Sequence, residues 1–174
     1  MLFRSRKDLA ATGVVGQARI GFAVGALVDA IEEFLGWRNR TDAFLIGAGN
    51  LGRALMGYKT FQSFGIHITA AFDQDPVMVG SEVAGVKILP VERLAGLLGR
   101  MRPAIGILTV PPEAAQSVAD TLAANGIRGI WNFSPAVLRV PDGIVVENVL
   151  FSTSLAVLTN KLKRLERTGA HDAA

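Results

Sequence analysis

Gly47-Ala48-Gly49-Asn50-Leu51-Gly52 spells a G-x-G-x-x-G whose chemistry comes from what its residues lack. The first glycine permits a tight turn, the second lets bare backbone approach a pyrophosphate, and the third lets a helix pack closely on a strand. Exposed N–H groups and the positive end of the following helix then favour an anion. A carboxylate, Asp73, follows 21 positions after the last glycine, at the end of the apolar run Ile66–Phe72. At that spacing an acid can hydrogen-bond the hydroxyls of an adenosine ribose and repel a 2′-phosphate, which favours NAD(H) over NADP(H). Taken singly, each feature is also ordinary turn chemistry. Their order and spacing favour the nucleotide site.

The elements that position these residues are legible around them. Ala43-Phe44-Leu45-Ile46 is a continuous apolar run, the pattern of a strand buried on both faces. Leu51, Leu55, Tyr58 and Phe61 follow helical spacing until Gly65, predicting one helix over that stretch. Further strands are expected at Val86–Leu89, Ala104–Val110 and Gly129–Asn132, with helices over 24–35, Pro90–Arg100 and from Ala115 to the stop at Asn125-Gly126. Strands alternating with helices imply an α/β fold with a Rossmann-like parallel sheet, right-handed crossovers and flanking helices. Ligands of such sheets lie outside the carboxyl ends of the strands, which adds Thr109-Val110-Pro111, Asn132 and Ser134 to the candidate site. An Asn132 amide could both donate to and accept from a carboxamide. Ser152 to Arg167 is an amphipathic helix with Leu155, Leu158, Leu162 and Leu165 on one face. Its partner is either its own sheet or a second subunit.

Composition narrows the function. Half of the 174 residues are hydrophobic, and the net charge of +3 is unevenly spread. Residues 1–40 hold 6 Lys/Arg against 4 Asp/Glu, 41–150 hold 8 against 9, and 151–174 hold 4 against 2. The near-neutral centre does not make the chain a nucleic-acid binder by charge alone. With no cysteine there is no disulfide, thiolate metal site or cysteine nucleophile, and two histidines make a zinc site unexpected. The N-terminus has no apolar signal region and no stretch reaches the ~20 apolar residues of a membrane span. The expectation is a soluble cytoplasmic protein with no membrane partner.

A hydride-transferring enzyme needs an acid or base beside the nicotinamide, and usually a second domain for its substrate. The sequence offers neither. His67 falls within the second strand, and no His-Asp, Ser-His or Lys dyad stands at a strand end. Tyr58, the single tyrosine, could reach a nicotinamide from the helix after the glycine turn or could serve only in packing. A binding module is favoured over a catalyst.

The pattern as a whole resembles the Rex family of redox-sensing transcriptional repressors, from about residue 5 to 165. Ile46–Leu55 with Tyr58 is similar to the family's nucleotide turn, and Phe72-Asp73 with Asp75-Pro76 and Val79-Gly80 to its second-strand signature. Val110-Pro111 with Ala114-Ala115-Gln116, Gly126–Pro135 and Val146-Glu147-Asn148-Val149 resemble its remaining motifs. The resemblance implies an NADH/NAD-sensing homodimer with NAD(H) as cofactor, a C-terminal helix exchanged between subunits, and winged-helix heads that leave operator DNA when NADH binds. It also implies three parts. Residues 1–23 would be the remnant of the head and its linker, 24–150 the NAD(H)-binding domain, and 151–174 the dimerisation helix and tail. Arg6-Lys7-Asp8-Leu9 resembles part of a recognition helix, whereas Gln17 and Ala18 stand where the wing is basic, so specific operator binding by this chain alone is not expected. Leu150 replaces an acid that in the family reaches Tyr58 of the other subunit. A small NAD-dependent oxidoreductase and a CoA-binding domain of acyl-CoA-ligase type are alternatives that share the fold.

Overall fold

The structure, a computed structural model, describes residues 13–14, 21–36 and 39–169, with side chains described as far as Arg164. The head-like motif at residues 6–9, Gln17, Ala18 and the Leu165 side chain lie outside the described residues. Helix α1 (Val24–Phe34) leads to β1 (Thr41–Ile46), α2 (Asn50–Met56), the short α3 (Thr60–Ser63) and β2 (Ile66–Asp73). A small hairpin, β3 (Glu82–Val83) and β4 (Val86–Pro90), is followed by a single 3-10 turn and α4 (Leu94–Met101). Then come β5 (Ile105–Leu108), α5 (Pro112–Ala124), β6 (Gly129–Asn132), β7 (Val145–Asn148) and α6 (Phe151–Gly169).

The sheet order is β3-β4-β2-β1-β5-β6-β7. All neighbours from β4 to β7 pair in parallel, and β3 alone is antiparallel, to β4. Numbering only the parallel strands gives 3-2-1-4-5-6, the doubly wound order whose direction reverses between β1 and β5 and opens a crevice there. Alternate residues of β1 feed two cores. Phe44 and Ile46 join Phe72, Leu94, Leu98, Leu108, Leu122 and Ile130 under α4 and α5, while Ala43 and Leu45 join Ala71, Ile88, Ile107 and Met56 under α2.

Three differences from the expected elements have physical causes. The helix predicted from the glycine turn to Gly65 is two helices, broken at Gly57, which caps α2 before the chain turns through Tyr58 and Lys59 into α3. Glycine is a poor helix interior residue, and the break lets both Met56 and Phe61 be buried. Pro90 ends β4 rather than opening a helix, because its extended backbone (ψ 139°) still pairs with Asp73. Strand β7, absent from the expected strands, lies at the sheet edge with three of its four residues exposed, and its short apolar run Ile144–Val146 gives way at once to the polar Glu147 and Asn148.

Helices α1 and α6 stand apart from this core. None of the α1 residues is buried, and Leu155, Leu158 and Leu162 of α6 are all at least half exposed. The leucine stripe is not covered by the chain's own sheet.

Candidate functional site: a cleft at the switch point

The glycine turn joins β1 to α2 at the carboxyl edge of the sheet, and its three glycines serve different ends. Gly47 has φ +100°, and a Cβ there would lie 2.7 Å from the Thr109 carbonyl oxygen. A Cβ on Gly52 would come within 2.0 Å of the Gly47 carbonyl oxygen. Both are glycine because the protein's own backbone occupies the space. A Cβ on Gly49 would meet nothing within 4 Å. No atom of the described residues requires glycine there, and Gly49 borders a cleft of about 480 Å³.

The cleft is built from four strand ends and one helix. Ile46 ends β1 and Gly47 follows it, Asp73 ends β2 and Gln74 follows it, Val91 follows β4, Thr109, Val110 and Pro111 follow β5, and Ala114 and Val118 belong to α5. Asp73 is the one ionisable group among these lining residues. Its Oδ2 accepts the Ala48 N–H at 2.6 Å and its Oδ1 accepts the Asp75 N–H at 2.9 Å. The carboxylate thus braces the glycine turn and faces the cleft as an acceptor-only group. Thr109 braces the other side, its hydroxyl donating to the Gly47 carbonyl at 2.6 Å and its N–H to the Ile46 carbonyl at 2.9 Å.

The structure therefore brings together Gly47, Ala48, Gly49, Asp73, Thr109, Val110 and Pro111 of the expected site. Asn50 and Leu51 form the first turn of α2 with Gly52 buried behind them, and the Asn50 side chain accepts from Arg53 Nη2 at 2.7 Å. Their backbone N–H groups have no acceptor within the helix. Three residues lie elsewhere. Tyr58 borders a different cavity, beside His67 near the start of β2, six strand steps from Asp73 or roughly 20 Å. Its ring packs edge-on against Phe61 with centroids 5.0 Å apart, so it does not enter its own chain's cleft. Asn132 is fully buried and its amide is committed within the fold. Its Nδ2 donates to the Ala136 carbonyl (2.9 Å) and to Asn148 Oδ1 (2.8 Å), and its Oδ1 accepts the Ser134 N–H (3.0 Å). No hydrogen is left for a carboxamide, and Ser134, also buried, belongs to the same loop. Gln74, Val91, Ala114 and Val118 were not among the expected residues. The rule about strand ends would have found Val91, and the i, i+4 pair on α5 would have found the other wall.

A turn whose central glycine is open to a cleft, an acid at its rim and a doubly wound sheet define a dinucleotide-binding α/β domain of Rossmann type. A family model described as a CoA binding domain matches residues 38–136. The chain is 43% identical over 159 residues to the redox-sensing transcriptional repressor Rex of Porphyromonas gingivalis, covering 91% of this chain and 73% of that protein. To the Rex of Treponema denticola it is 42% identical over 153 residues, covering 88% and 73%. Among solved structures, RSP in complex with β-NAD+ and operator DNA superposes with a TM-score of 0.88 at 34% identity, covering 98% of this chain and 79% of that one. RSP in complex with β-NADH gives 0.86 at 34% identity, covering 96% and 78%. The chain belongs to the Rex family of redox-sensing transcriptional repressors.

Proposed function

We propose that this chain senses the NADH/NAD+ balance by binding NAD(H) in the cleft between Gly47 and Val118 and acts as a dimeric transcriptional regulator. The observation that carries the reading is that the unobstructed backbone of Gly49 and the carboxylate of Asp73 line one cleft. The Gly47–Gly52 turn, with the first N–H groups of α2, would hold the pyrophosphate. Asp73 would take the adenosine ribose and disfavour a 2′-phosphate. Val91, Val110 and Val118 offer the adenine an apolar surface. When bound, the nicotinamide supplies a redox state to be read. Asp73, the one ionisable group lining the cleft, already accepts the Ala48 and Asp75 N–H groups, and the similarity to proteins named as repressors supports a regulator rather than an enzyme.

In this reading residues 24–150 form the sensor and 151–174 the dimerisation segment, because Leu155, Leu158 and Leu162 of α6 are left exposed among the described residues. Residues 1–23 would belong to the DNA-binding head and its linker, with operator DNA as the partner and the cytoplasm as the compartment. Tyr58, remote from its own cleft, would meet a cofactor or a partner residue only across a subunit boundary. The match to a CoA binding domain supports CoA as a second ligand reading. Titrating the protein with NADH and then challenging the complex with CoA or NADPH separates the two. Retention of NADH supports the proposal, and displacement by CoA at comparable concentration overturns it.

A further inference from the structure

Strands β6 and β7 are parallel neighbours joined by residues 133–144, a crossover without the helix that usually fills such a connection. Apolar side chains of this segment, Leu138, Val140 and Ile144, pack onto the core under α4 and α5. Two side-chain amides fasten it. Gln116 of α5 meets the crossover at Arg139 in a reciprocal pair: Nε2 donates to the Arg139 carbonyl at 2.9 Å and Oε1 accepts the Arg139 N–H at 3.0 Å. The second Nε2 hydrogen goes to Asp120 Oδ1 at 2.7 Å, so the amide has one consistent orientation. Asn132 fastens the start of the crossover to Ala136 and to Asn148. The Asn132 carbonyl also accepts the Val149 N–H at 2.8 Å.

The fastened segment connects two places that matter. On one side α5 places Ala114 and Val118 in the cleft, two residues or about half a turn to either side of Gln116, so that the cleft and the crossover meet opposite faces of one helix. On the other, Asn148 and Val149 stand just before Phe151, the first residue of α6, whose ring packs 6.4 Å from that of Phe133 in the crossover. The path from the cleft wall to the root of α6 therefore runs through the Gln116–Arg139 pair, back along the crossover backbone to Ala136 and Phe133, and from there by the Asn132–Asn148 hydrogen bond and the Phe133–Phe151 ring contact.

We propose that Gln116 is a positioning residue that clamps the helix-free crossover to α5, so that occupancy of the cleft is transmitted to the C-terminal helix. The inference rests on the NAD(H) reading. A ligand resting against Ala114 and Val118 favours one placement of α5, and the Gln116–Arg139 pair makes the crossover and the α6 root follow it. Without the clamp the cleft still binds ligand, and α6 no longer responds.

The test is amide hydrogen exchange of the full chain with and without saturating NADH, on wild type, Gln116→Ala and Gln116→Glu, with Thr121→Ala as an α5 control. Gln116→Glu keeps an acceptor for the Arg139 N–H and removes the donor to its carbonyl, so it tests the clamp with little change in packing. In wild type and the control, NADH is expected to slow exchange at residues 47–52 and at 133–164. Both Gln116 variants are expected to keep the slowing at 47–52, with NADH affinity changed by less than about threefold, and to lose it at 145–164. Gln116 variants that retain the NADH-dependent slowing at 145–164, however much their melting temperature falls, overturn the proposal. A wild-type response confined to 47–52 also overturns it and leaves the NAD(H) reading intact. No NADH effect at 47–52 in any protein overturns that reading and the inference with it.

Discussion

Replacing the three glycines of the turn one at a time should separate what the fold needs from what the ligand needs. A Cβ on Gly52 would sit 2.0 Å from the Gly47 carbonyl oxygen and 3.1 Å from Leu45 Cδ2. An ordinary carbon–oxygen contact is about 3.3–3.6 Å, so Gly52→Ala must push α2 and the turn apart by roughly 1.3 Å or more. Overpacking of this kind costs about 1–3 kcal/mol. At roughly 3 °C per kcal/mol for a chain of this size, the melting temperature falls by about 3–9 °C. Gly49 is the opposite case. It is exposed, its φ is −65°, and an added side chain meets no protein atom within 4 Å. Gly49→Val should leave stability within about 0.5 kcal/mol of wild type. Its branched side chain would stand where the pyrophosphate must approach, and NADH binding should be lost. Thermal melts and a titration following NADH fluorescence read the two quantities separately. Wild-type NADH affinity in Gly49→Val would refute the placement of the pyrophosphate, and a melt as low as that of Gly52→Ala would refute the claim that the fold leaves Gly49 free.

Other outcomes follow from the same geometry. Asp73→Ala removes the acceptor from the cleft and should weaken NADH by roughly 10–100-fold, as expected for a charge-assisted hydrogen bond, while NADPH loses less. Titration with both nucleotides checks it, and an unchanged NADH/NADPH ratio would count against the ribose role. Asn132→Ala strands the buried Ser134 N–H and Ala136 carbonyl, at about 1–3 kcal/mol for each unsatisfied group, and should lower the urea midpoint with little change in slope; a neutral substitution would show that this loop is held by other contacts. Truncation after Asn148 removes α6, whose exposed leucines are each worth roughly 1.5–3 kcal/mol when buried. Light scattering should then find monomers or aggregates, and a persistent dimer would place the interface elsewhere.

The glycine turn, the buried strand before it and Asp73 were legible in the sequence because each is a local pattern read at fixed spacing. The parallel sheet followed from the alternation of apolar runs with helical stretches. What escaped depended on contacts between distant segments. Asn132 looked free to bind a ligand because nothing local announces that Asn148, its register partner on β7, takes one of its hydrogens. Tyr58 had helical spacing from the glycine turn, but the helix runs back from the carboxyl edge, and eight residues from its start Tyr58 stands beside His67 near the other edge of the sheet. The walls at Val91 and Val118 became cleft residues through the sheet order, which places β4 and α5 beside the switch point.

The central claim is that the chain reports a redox ratio, which requires a different affinity for each redox state, since a ligand pair bound equally in every state shifts no equilibrium. Parallel calorimetric titrations of the same preparation with NADH and NAD+ measure this directly. The account predicts NADH binding at least about tenfold more tightly, a difference of roughly 1.4 kcal/mol. Equal affinities, or no binding of either nucleotide, would contradict it.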